Sequence, residues 1–299
     1  MRSLLVIALV AGVPGNVCAD RVTLRAGTLA VDGSRYMQDM QALAKEIRTR
    51  THGAVRIEWM SGGQLGDEVA MADQLKRGTL DAAGLSETGL VALVPEMTVW
   101  RYPGLLRSYA EVDRATAALG PSVRDQFAKR DLVFVMWADL GFSQIFSTEP
   151  ITTLRDLLRA ATPWIAMPLD GKLTAAIAGG KARAWALPPL YMLAIGGAKP
   201  RYVADLKYRY VVGGLVMTAA GWAKLAVADQ AIVGEVCRDF EPRLRASWRR
   251  ESDRGLAALA KSGVTVHVVP TAERAGFADA SAKTWTTPAD LVAKILAAR

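Results

Sequence analysis

The chain has 299 residues, 51% hydrophobic and 22% charged, with 37 basic against 29 acidic side chains and a formal charge of +8. That apolar content supports two domains or one large one and excludes a disordered chain. The basic residues are scattered, and the densest run, Arg243 to Arg254, is interrupted by Glu251 and Asp253. It reads as the solvated face of a helix, so no nucleic-acid partner is expected.

The first 19 residues have the order of an export leader: Arg2, an apolar stretch from Ser3 to Val13, then Val17-Cys18-Ala19 before Asp20. The apolar stretch is too short to span a bilayer, and no later run approaches ~20 apolar residues. Cleavage after Ala19 removes Arg2 and Cys18, leaving a formal +7 and Cys237 as the single cysteine. No intrachain disulfide is then possible, and the chain is expected to be exported.

In chain order, Val22–Gly27 reads as a strand and Ser34 as the cap of a helix running to about Arg50. Ala54–Met60 is a second strand, and a helix from Asp67 to about Arg77 leads into the short strand LDAAGLS, which ends at Ser86. The glycine turn and first helical turn at Ser61–Glu68 present backbone N–H groups and small side chains at one edge. A helix is expected over roughly Tyr109–Arg130, and Leu132–Ala138 reads as a buried strand of the parallel type. Strand–helix alternation with short connections predicts right-handed βαβ units and an α/β sheet.

Beyond Pro150 the signals change. Thr153 caps a short helix to about Ala161, Pro163–Met167 is a brief strand, and a glycine- and proline-rich region runs to Pro200. A long amphipathic pattern covers Ala219–Ser262, with Pro242 expected to kink or divide it. Val264–Val269 is a last strand, followed by a helix near Pro288–Ala298. A helix this long suggests packing along two lobes, here residues 20–140 with 206–245, and 141–205 with 246–299.

Reactive constellations are missing. His52 follows a helix end, His267 alternates with valines, and neither has metal-ligand spacing to Cys, Asp or Glu. Cys237 reads as a small buried hydrophobe. No nucleophile elbow, phosphate loop or dinucleotide fingerprint occurs, so no enzyme activity, cofactor or metal is expected.

Several segments together, in the right order, resemble one family. They are GTLAVDGS (Gly27–Ser34), GGQLGDE (Gly62–Glu68), GTLDAAGLS (Gly78–Ser86), the run Gly89–Ser108, GFSQIFSTEPITTLRDL (Gly141–Leu157), Ala182–Gly196, Val203–Tyr208 and GVTVHVV (Gly263–Val269). They resemble the periplasmic solute-binding subunits of TRAP (tripartite ATP-independent periplasmic) transporters. The resemblance implies an α/β, two-lobed periplasmic binding protein, type II-like, with a long helix spanning both lobes. It would capture a small organic ligand by hinge closure near Ala138–Phe142 and Val203–Tyr208, and deliver it to integral-membrane permease subunits. It also places Gly27, Thr28, Gly63, Gln64, Asp67, Ser86, Asp139, Gly141, Phe142 and Pro188 at the cleft, with Trp137, Trp164 and Trp185 near strand ends beside it. Asp67 has a competing role as a helix cap.

The chain departs from the family pattern where ligands are usually gripped. The family's ligands are typically organic acids held by arginines, but one such position aligns here with Pro163 or Trp164 and the other with Ser143. By the same comparison the second lobe is shorter by roughly twenty residues between Met167 and Pro168, about one βα unit. Three tryptophans with few polar anchors favour an apolar or aromatic ligand, with an organic acid the other possibility. A sensory or lapsed homologue without a transport role is the alternative reading.

Overall fold

A computed structural model describes residues 21–153, 155–157, 165, 171–194, 200–282 and 289–298. Strands β1 (Val22–Thr28) and β2 (Val55–Met60) lie parallel, joined by helix α1 (Arg35–Arg50), the expected βαβ unit. The Ser34 hydroxyl caps α1 by accepting the Met37 N–H, and Asp67 caps α2 (Glu68–Lys76) by accepting from Ala70. Strand β3 (Ala82–Ser86) pairs parallel to β1 and runs straight into α3 (Glu87–Leu93), a 3-10 turn (Pro95–Arg101) and α4 (Tyr109–Ala128).

The expected parallel strand at Leu132–Ala138 is half of a longer one. Strand β4 (Leu132–Ser147) continues through the crossover and pairs antiparallel with β6 (Tyr202–Thr218) along most of its length. Its continuous burial, which suggested a parallel strand, arises because both faces are covered by helices. One edge of the β4–β6 ribbon carries β3, β1 and β2. The far end carries β5 (Ala184–Leu187) on β4 and, parallel to β6, β7 (Thr265–Val268).

Each half of this sheet has apolar side chains on both faces, so the described residues form four cores. Trp137 and Phe142 of β4 pack with α2, α3 and α4, whereas Met136, Ala138 and Leu140 pack with α1 and the long helix. Past the crossover, Ile145 and Phe146 fall in two further cores. The register between β4 and β6 shifts at Phe134/Met136, Asp139/Gly141 and Ser143/Ile145. The first two shifts each add one residue to β4 and reset which face the following side chains occupy; at the third, β6 takes five steps from Ala204 to Arg209 against two on β4.

Further helices among the described residues are α5 (Gly171–Ala178), α6 (Pro189–Ala194), α7 (Ala219–Ala223), α8 (Val227–Lys261), α9 (Thr271–Ala282) and α10 (Ala289–Ala297). The break expected at Pro242 lies instead at Lys224–Ala226, and α8 runs unbroken for 35 residues, about 52 Å at 1.5 Å per residue. The interior proline removes only the bond that would reach back to Arg238. The expected strand at Pro163–Met167 has one described residue, Ile165, which is helical. The twenty-residue shortening also falls outside the described residues. The terminal helix packs through Ile295 onto the α4 core.

Gly141 sits at the crossover with φ of +99°, and a Cβ there would lie 2.5 Å from the Ser252 hydroxyl of α8. Gly141→Ala should therefore lower stability by about 1–3 kcal/mol, read as an earlier urea midpoint. Adding Ser252→Gly should recover the steric part of that loss and leave the backbone part.

Candidate ligand-binding cleft

A cleft of about 210 Å³ opens where β1, β3 and β4 meet α1, α6 and α8. Its polar floor is Thr28 at the end of β1, Glu68 at the start of α2 and Ser86 at the end of β3. Tyr36 of α1, Tyr191 of α6 and Trp248 of α8 supply aromatic surface, and Ala138, Leu140 and Leu190 complete the apolar walls. The Tyr36 and Trp248 rings stand 4.1 Å apart, tilted by 59°. The Tyr36 hydroxyl bonds Thr28 and passes over Gly84, where a Cβ would come within 2.5 Å of that oxygen. Glycine is required there by close approach.

Glu68 is 5% exposed. Its Oε1 accepts the Ser86 N–H at 2.8 Å, while Oε2 accepts the Ser86 hydroxyl at 2.5 Å and the Gly89 N–H at 2.9 Å. Burial raises its pKa above the usual value, against those three bonds, which lower it. Burial also pushes both Tyr36 and Tyr191 far above the ordinary phenol range, with the nearby Glu68 charge adding to the rise. Arg35, the one cation among the described lining residues, is bound to Asp39 through Nε at 3.1 Å and Nη2 at 3.0 Å. Asp39 accepts the Trp248 indole N–H as well.

Of the positions expected at the cleft, Thr28 and Ser86 line it. Gly27 does not, because it packs tightly beneath Leu65 and Met71, within 2.9 Å of where a Cβ would be. Gly63 occupies a left-handed turn, Gln64 is exposed beside it, and Asp67 caps α2. Pro188 is buried just before α6 and its carbonyl accepts the Tyr191 N–H, so it positions a lining residue without lining the cleft. Trp164 lies outside the described residues.

The crossover residues need correction. Strand alternation puts Ala138 and Leu140 toward the cleft, which turns Trp137 and Asp139 away from it. Trp137 is core, edge-on to Trp100 and Phe134 at 5.3 and 4.6 Å. The bulge after Asp139 then carries Phe142 into the same core, against Tyr109 and Tyr210. Trp185 is wholly buried, stacked on Phe146, with its indole N–H on the Met192 sulfur. Gly141 lies under Ser252.

Asp139 has a structural role. Its Oδ2 accepts from Arg245 and Arg249 of α8, each at 2.9 Å, and Arg249 also grips Asp113 of α4 at 2.6 and 3.0 Å. These arginines belong to the run read as a solvated helix face, yet Arg245 is buried. A second buried pair joins Arg209 of β6 to Glu87 of α3, with Arg101 3.5 Å from the same carboxylate oxygen.

Glu68, Tyr36, Tyr191 and Trp248 were not anticipated as site residues. Glu68 carries the signal of a first-turn acid complementing the helix dipole. The three aromatics follow helical spacing and read as core until α1, α6 and α8 are brought together.

A sheet in two halves, joined by two crossing strands and carrying a cleft beside the crossover, has the architecture of a two-lobed solute-binding protein. Residues 26–161 match the family model described as bacterial extracellular solute-binding protein, family 7 (DctP). A curated relative from Chromohalobacter salexigens, named solute-binding protein, is 22% identical over 254 residues, covering 77% of this chain and 74% of the relative. Among solved structures, a TRAP periplasmic solute-binding protein from Ralstonia eutropha with bound (S)-2-acetolactate superposes with a TM-score of 0.81 at 20% identity, covering 92% of this chain and 98% of that one. Another from Desulfovibrio salexigens, with bound orotic acid, gives 0.78 at 19% identity, covering 92% and 94%. Residues 26–161 thus match the DctP family model, and the chain carries the fold of the TRAP periplasmic solute-binding proteins.

Two outcomes follow from the charges. Asp139→Asn should destabilise the fold by about 3–5 kcal/mol, because one buried and one part-buried guanidinium lose their shared counter-charge; chemical denaturation measures it. Burial raises Glu68 above 4.5, so the stability this group contributes is complete below that pH and is lost as pH rises through the folded value. Glu68→Gln lacks this titration. Wild type should therefore lose stability relative to the variant as pH rises above 4.5, as compared by denaturation at each pH.

Proposed function

We propose that this chain is the extracytoplasmic solute-binding subunit of a TRAP-type secondary transporter, exported by residues 1–19 and acting in the periplasm. It captures a small organic solute in the cleft and hands it to integral-membrane permease subunits, performing no chemistry on it. The observation that carries this reading is the cleft itself. Three of its polar lining residues, Thr28, Glu68 and Ser86, come from the family-matched part of the chain, while Leu190, Tyr191 and Trp248 come from later segments. A ligand touching both sets would hold them together.

Lobe I comprises residues 20–140 and 206–245 and lobe II 141–205 and 246–299, with the terminal helix returning to lobe I through Ile295. Closure would bend the β4–β6 ribbon at its bulges, where Gly141 and Lys207 have φ of +99° and +52°. Relatives with this fold hold acetolactate or orotate, so small polar organics of that size set the starting library.

The purified chain from Asp20 onward should be screened by thermal shift against organic acids, amines and neutral aromatics. A true solute at a hundred times its Kd adds about 2.7 kcal/mol, a rise of several degrees, and should shrink the radius of gyration in solution scattering. No stabilisation by any class, together with an unchanged radius, would overturn the reading.

A further inference from the structure

Resting on the solute-binding reading above, the geometry points to an organic cation with a small apolar or aromatic body as the solute of this cleft. Glu68 is a buried carboxylate facing the cleft, and among the described residues it forms no ion pair. Its partners are neutral donors, two backbone N–H groups and one hydroxyl. A desolvated anion without a counter-charge is costly, and an arriving ammonium removes that cost. Each carboxylate oxygen has about two acceptor sites. Oε2 accepts two bonds and is full, whereas Oε1 accepts one and keeps a site open.

The surroundings suit the same ligand. Tyr36, Tyr191 and Trp248 place aromatic rings around the cleft, and such rings attract cations through their negative faces. Glu251 adds a second acid to the lining, with one oxygen already held by Arg254 at 2.8 Å. An incoming carboxylate finds the opposite conditions. Arg35, the single described cation on the wall, has its guanidinium bound on two edges by Asp39, and the Ser86 hydroxyl already donates to Glu68.

The test needs no variant to begin. Phenethylammonium and choline, the isosteric neutral phenethyl alcohol, and the acids orotate and pyroglutamate are titrated into the wild-type chain by calorimetry. At least one cation should bind, and phenethylammonium should bind more than about tenfold tighter than the alcohol, as a charge-assisted bond provides. Glu68→Gln should abolish that preference, whereas Tyr36→Leu should weaken cations and leave the cation-over-alcohol ratio in place. Binding of the acids in preference to the cations overturns the cation assignment and leaves the solute-binding reading standing. Binding of the cations with no loss in Glu68→Gln removes Glu68 as the recognising group and overturns the assignment equally. Failure of every probe, with no closure in solution scattering, sinks both.

Discussion

The antiparallel pairing of β4 with β6 is the constraint on which the remaining architecture hangs. These two strands run the length of the sheet and place side chains in all four cores. Because side chains alternate every residue, one bulge reassigns everything after it to the opposite face. The shift at Asp139/Gly141 lets Ala138 and Leu140 form a cleft wall while Phe142 joins Trp137 in the opposite core. Without that shift, Phe142 would fall on the face that Ala138 and Leu140 occupy. The same irregularities interrupt the ladder, so the ribbon is weakest where two halves of the sheet would have to move.

Buried charge then fixes what lies across the ribbon. Arg245 and Arg249 tie the middle of α8 to Asp139 of β4 and Asp113 of α4. Apolar contact alone would leave a 35-residue helix free to slide along its groove, whereas bidentate guanidinium–carboxylate bonds set its register. The Arg209–Glu87 pair does the equivalent for α3 against β6. Such pairs contribute little net energy once desolvation is counted, and their value lies in excluding other arrangements.

What could be read from the sequence divides along the range of the interactions. The caps at Ser34 and Asp67 and the strands β1, β2 and β3 were legible because each depends on a few neighbouring residues. The span of β4 was not, since its second half is specified by β5 and β6, whose partners lie 37 or more residues away. Periodicity identified the α8 pattern and its basic face, but not that the face opposes Asp139 and Asp113, so buried arginines passed for solvated ones. Trp137 and Trp185 illustrate the converse. Their position near strand ends suggested a cleft, and only the strand's alternation and bulges reveal that they point into cores.

The contrast between these carboxylates gives the cleft its character. Asp139 and Glu87 are buried with arginines against them, and Asp39 has Arg35. Glu68 is comparably buried but meets hydroxyl and amide donors only. Hydrogen bonds of this kind orient a carboxylate and offset part of its desolvation without neutralising its charge. A fold that pairs its other buried acids has the means to pair this one, and an arginine at Tyr191 or Leu140 would reach the same cleft. Those positions carry an aromatic and an aliphatic side chain instead, so the counter-charge for Glu68 is left to whatever enters.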